Sequence, residues 1–226
     1  MSRLRLRRPV PWRPRLLYPA AVGIIASIVT LRWFPAMTMY IGGGDVAAPR
    51  SLGPIEYGPM VVALLLCLGL APRLPDWDRY GAPGARIVAL INSVLVVLVP
   101  LVLFAMALLL PSSAFTSAWG PADQLVPYAS NIAVAALLAS VLLGTLGRLA
   151  GTVVWVAALV AVMLGQAQLP THPQWLPLTV TVSSEGMLYT EPAWGWICFL
   201  AVAAGTLAWV RRSVPLRFAA SLPSDE

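Results

Sequence analysis

Six apolar runs divide this chain, at 17–37, 58–72, 86–110, 127–146, 149–168 and 194–210. A helix needs roughly 20 apolar residues to cross the hydrocarbon core of a bilayer. Most of the runs approach or exceed that length, and the second reaches it once Tyr57 through Leu74 are counted. The close fourth and fifth runs could be taken as one, but Gly144, Gly147, Arg148 and Gly151 supply a break between them. Composition agrees with lipid as the solvent. Only 11% of the 226 residues are charged and 59% are hydrophobic, with a mean hydropathy of +0.80. A soluble domain carries about a quarter charged residues, because its surface must face water. The expectation is an all-α integral membrane protein with six transmembrane helices.

Arginine placement sets the expected direction. All fifteen basic residues are arginine, the pattern codon usage in a GC-rich genome produces. With an inside N-terminus, segments 1–16, 73–86, 147–148 and 211–226 hold six, three, one and three of them. Only Arg32 and Arg50 fall toward the outside, which is a strong positive-inside bias. Both termini are therefore expected in the cytoplasm, with 1–16 an arginine-rich segment, 17–210 the membrane domain and 211–226 a tail. The net charge of +6 would suit a nucleic-acid partner, but arginines gathered at helix ends serve topology, and none is expected. Trp33, Tyr40, Tyr57, Trp119, Tyr128, Trp175, Tyr189, Trp194 and Trp196 collect near the expected outer interface, where amphipathic rings are favoured. Arg32 is read as snorkelling to that surface. The first run is too long for a signal peptide and lacks a cleavage site.

A search for catalysis finds little. The chain has no H-E-x-x-H, no G-x-S-x-G and no Cys/His cluster with zinc spacing. His172 stands in a loop with Glu185 and Glu191, and one imidazole is a weak metal signal. Cys67 and Cys198 lie inside apolar runs and read as packing residues. None of the six runs contains Asp or Glu, which argues against a proton- or sodium-coupled carrier. Without lysine there is no Walker A loop. No catalytic residue, cofactor or metal is expected in the chain, and any ATP would be bound by a partner.

Two features remain. Asn92, Ser93, Ser130, Asn131, Ser140 and Gln166 are polar positions within the runs. Interhelical hydrogen bonding is their ordinary use, and Ser130 and Asn131 are the candidates for lining a pathway. Gly147-x-x-x-Gly151 sits at a loop, so it reads as a tight turn before it reads as a dimer face. The inner loop 73–86 carries Asp76, Trp77, Asp78, Arg79 and Tyr80, followed by Gly81-Ala82-Pro83-Gly84. That knob is either a docking surface for a cytoplasmic partner or an ordinary polar connection.

The stretch NIAVAALLASVLLGTLGRLAGTVVWVAAL, a Trp/Pro-rich outer segment and then AWGWICFLAVAAGTLAWVRR resemble the second half of type-2 ABC exporter membrane (permease) subunits, small actinobacterial ones in particular. The resemblance covers most of the chain as architecture. It implies a coupling segment between the second and third helices, here Asp76 to Tyr80, and a short fourth-to-fifth connection. It further implies two separate ATP-binding subunits and a second membrane subunit, homo- or heterodimeric, in a bacterial cell membrane. The family usually begins with an amphipathic surface helix, whereas Pro9, Pro11 and Pro14 interrupt the corresponding stretch. The alternative is a non-transporting accessory protein that anchors or regulates a partner complex.

Overall fold

The computed structural model describes residues 18–33, 39–41, 50–52, 54–70, 85–109, 125–168, 176–178 and 193–210. Among them are six helices: α1 (Tyr18–Trp33), α2 (Pro54–Leu70), α3 (Ala85–Leu109), α4 (Leu125–Leu146), α5 (Arg148–Gln168) and α6 (Trp194–Val210). Two three-residue strands, β1 (Met39–Ile41) and β2 (Arg50–Leu52), pair antiparallel between α1 and α2 with Tyr40 opposite Ser51. This hairpin was not foreseen, because three residues are too few to show an alternating pattern.

Three helical stretches are long and apolar enough to cross a membrane: Leu90–Leu109, Leu125–Leu146 and Arg148–Gln166. The apolar parts of α1, α2 and α6 are shorter, at Ala21–Thr30, Ile55–Leu70 and Trp194–Trp209. At 1.5 Å per residue a 17-residue helix spans only about 25 Å. The six apolar runs thus correspond to six helices, of which three have full spanning length.

α2 corrects the sequence reading most. Its helix opens at Pro54, four residues before the apolar run, so Glu56 stands in its first turn. Proline suits that opening position, where its missing N–H would have had no partner within the helix. Hydropathy alone placed the boundary after the glutamate. This helix holds a buried acid, so the expected absence of Asp and Glu from the spans, and the argument it made against a proton- or sodium-coupled carrier, does not hold for α2.

The packing has a centre. α4 touches α2, α3, α5 and α6, and its residues from Ser130 through Leu137 are all buried. Small side chains permit this: Ala133, Ala135, Ala136 and Ala139 let neighbouring backbones come close, the usual solution where lipid leaves no hydrophobic drive between helices. Val62, Ala63, Leu66, Val96, Phe104, Ile132 and Val134 fill the core around it. Outward, Val22 and Ile25 of α1, Val94 and Leu98 of α3, Val153 and Leu164 of α5, and Phe199 and Val202 of α6 are exposed. A rim this apolar is what a bundle solvated by acyl chains presents.

Side-chain pairings fix the relative directions of the helices. Ser27 lies against Gly58, and Gly23 against Val62 and Leu65, so α1 and α2 are antiparallel. Glu56 meets Asn131 while Cys67 meets Ser140, so α2 and α4 run parallel. Trp155 reaches back to Ala135 and Gly151 abuts Leu142 and Leu143, so α5 returns antiparallel. The start of α6 meets the start of α4 at Ser130. One end of the bundle therefore gathers the end of α1, the starts of α2, α4 and α6, and the end of α5. The opposite end holds the turn at Gly147.

That turn is a single residue. Gly147 has φ +83°, a left-handed conformation that costs a side chain free energy, and it lets α5 begin at Arg148 immediately after α4 ends. Four residues on, the backbones nearly touch. A Cβ on Gly151 would lie 2.8 Å from both the Leu142 carbonyl oxygen and Leu143 Cα.

Candidate functional site

The buried polar side chains concentrate at the end where α2, α4 and α6 begin. Glu56 and Asn131 are both 0% exposed, and Asn131 Nδ2 donates to Glu56 Oε1 at 2.7 Å. The pairing joins residues 75 apart in sequence and two parallel helices that share the core. An acidic side chain wholly enclosed by apolar helices is costly unless hydrogen-bonded, and is the kind of group that marks function in membrane proteins.

Around it, three further contacts tie the same end together. Ser130 Oγ accepts from the Ala193 N–H at 3.0 Å, satisfying a donor at the position that caps α6. Gln166, 1% exposed near the end of α5, donates from Nε2 to the Leu178 carbonyl oxygen. Leu178 is itself 2% exposed, so residues 176–178 are fastened to the bundle by both backbone and side chain. Ala193 is buried as well.

Farther from that end, the helices carry two more polar contacts. Trp155 Nε1 donates to the Ala135 carbonyl oxygen at 2.8 Å. Cys67 Sγ and Ser140 Oγ are 3.7 Å apart in the opposite half of the α2–α4 seam. Cys67 is buried and packs as expected, whereas Cys198 is exposed on α6, and neither is in a disulfide.

Of the two candidate pathway residues, Asn131 is engaged by Glu56 and Ser130 by Ala193. Adjacent in sequence, they point about 100° apart around α4 and serve different neighbours. The knob Asp76–Tyr80 lies outside the described residues, as do His172, Glu185 and Glu191. Glu56 was missed, and the signal was present: a Pro-Ile-Glu-Tyr opening ahead of an apolar run is a helix start with an acid in its first turn.

No three His, Cys, Asp or Glu side chains stand together among the described residues in a way that would hold a metal ion. The site's chemistry is that of a hydrogen-bonded join between helices: one carboxyl, one amide, and a hydroxyl on the next residue. Comparison with protein-family models, curated proteins and solved structures finds no match for this chain.

Proposed function

We propose that this chain is the membrane subunit of an ATP-driven exporter of the type-2 ABC kind, crossing a bacterial cell membrane six times with both termini in the cytoplasm. α1, α2 and α6 would cross as short helices, with flanking residues and local thinning of the bilayer making up the length. The end bearing Glu56 would face outward and the Gly147 turn inward, beside the arginine-rich segments.

The observation that carries the reading is the helix order and direction. α1, α2, α4, α5 and α6 alternate as successive crossings must, and α4 passes to α5 through one residue, the short connection the resemblance implies. A second membrane subunit and two ATP-binding subunits would complete the assembly. ATP-driven closure would be transmitted through Asp76–Tyr80, with Trp77 seated in an apolar notch of the ATP-binding partner. Asp76, Asp78 and Arg79 would orient it from the rim.

The test is purification of the tagged chain in mild detergent from cells expressing its neighbouring genes. An ATP-binding polypeptide should accompany the wild type, and the chain freed of it should hydrolyse no ATP. Trp77→Ala should weaken the association by about 2 kcal/mol or more, roughly thirtyfold, as central aromatic anchors do. Asp78→Ala at the rim should cost about 1 kcal/mol or less. A stable partner without nucleotide-binding activity would replace the exporter with the accessory reading.

A further inference from the structure

The contacts between helices fall into two kinds. Within the α1–α2 and α4–α5 pairs, backbones approach closely. A Cβ on Gly58 would lie 3.2 Å from Ser27 Oγ and 3.9 Å from Ser27 Cα, and one on Gly151 would strike the α4 backbone. Trp155 adds a hydrogen bond from α5 to the α4 backbone. Such pairs resist sliding, because any shift brings main-chain atoms into collision. The seam between α2 and α4, against both of which α3 packs, is joined through side chains as well. Two hydrogen bonds there run from side chain to side chain, Glu56 with Asn131 at one end and the looser Cys67–Ser140 contact at the other. Side chains exchange partners by rotamer change, so a seam of this kind can part without either pair unfolding.

We propose that α1–α2 and α4–α5 are two rigid units that move against each other across the α2–α4 seam, and that the Glu56–Asn131 hydrogen bond is the latch holding the seam shut at the end where α2 and α4 begin. Glu56 and Asn131 act as positioning residues: they set the relation of the units and touch no ligand. The latch works through the acceptor oxygen at position 56, so an amide there serves as well as a carboxyl. Apolar contacts such as those of Val62 and Ala135 remain near the middle of the seam, leaving the Cys67–Ser140 end as the pivot. The device gives the exporter reading its moving part and rests on that reading for its purpose alone.

Distance measurement between spin labels in lipid nanodiscs tests the latch without substrate or partner. In full-length protein with Cys67 replaced by serine, which keeps a hydrogen-bonding atom toward Ser140, and Cys198 by alanine, labels at the exposed positions Ile28 and Leu164 report across the seam. Labels at Val126 and Leu164, also exposed, report within the α4–α5 pair. With the latch intact, both distances should be single and narrow. Asn131→Ala and Glu56→Ala should add a second component to the Ile28–Leu164 distance, longer by about 5 Å, the scale of a one-turn helix displacement. The Val126–Leu164 distance should not change, and Glu56→Gln should keep the single component. Should a single truncation prevent folding, the double variant Glu56→Ala with Asn131→Ala removes both sides of the hydrogen bond together and should show the same second component. Unchanged distances in the folded truncation variants, equal broadening in both label pairs, or Glu56→Gln behaving as Glu56→Ala would each overturn the proposal. A confirmed latch in a chain that recruits no ATP-binding subunit would stand while the exporter reading fell.

Discussion

Glu56 shows how much one misjudged boundary can hide. Averaged hydropathy begins the second run after it, because Pro54, Glu56 and Tyr57 dilute the one apolar residue among them, Ile55. The helix begins earlier because Pro54 suits its opening and an acid in the first turn complements the helix dipole. Asn131 was singled out as a polar residue in a span, and its burial follows from its place in the central helix. Its partner could not be read, since nothing local relates positions 56 and 131. Replacing Glu56 by alanine removes the acceptor from a fully buried amide and should destabilise the protein by about 1–3 kcal/mol. Glu56→Gln keeps a carbonyl oxygen in place and should retain most of that stability. Reversible unfolding in mixed micelles of lipid and detergent would compare the two, and equal losses would show that the hydrogen bond is not what stabilises the site.

At the scale of elements, the α4–α5 hairpin was the most legible part of the chain. Four residues, Gly144, Gly147, Arg148 and Gly151, interrupt the apolar stretch where the turn occurs. Gly147 supplies the left-handed residue and Gly151 the close approach, two demands that other residue types meet poorly. Gly147→Ala should cost about 1–2 kcal/mol from backbone strain alone, since a Cβ there would meet nothing within 4 Å. Gly151→Ala should cost about 1–3 kcal/mol through overpacking, and should also separate the two helices. Unfolding free energies measure the first effect. A label pair at Val126 and Leu164 measures the second, and an unchanged distance would mean that the helices relax in some other way. The hairpin at 39–41 and 50–52 left no comparable trace, because its pairing is made by backbone groups that any side chain permits.

For the whole molecule, continuous apolar runs and their length located the six helices, and the structure supplied which helix lies at the centre. That role belongs to α4 through its run of small residues, and a run of alanines reads in sequence as any apolar helix would. Which side each end faces is an expectation from the arginines, whereas the pairings Ser27–Gly58, Glu56–Asn131 and Trp155–Ala135 give the directions of helices relative to one another. These pairings order the helices with respect to one another and leave the bilayer to be placed around them. The most direct test of the account therefore asks which side each end of the bundle faces. Alkaline phosphatase, active only outside, and green fluorescent protein, fluorescent only inside, would be fused after residue 226 and inserted within 38–56. Fluorescence without phosphatase activity is expected at 226, and phosphatase activity without fluorescence within 38–56. The same reporter active at both positions would contradict the six-crossing bundle.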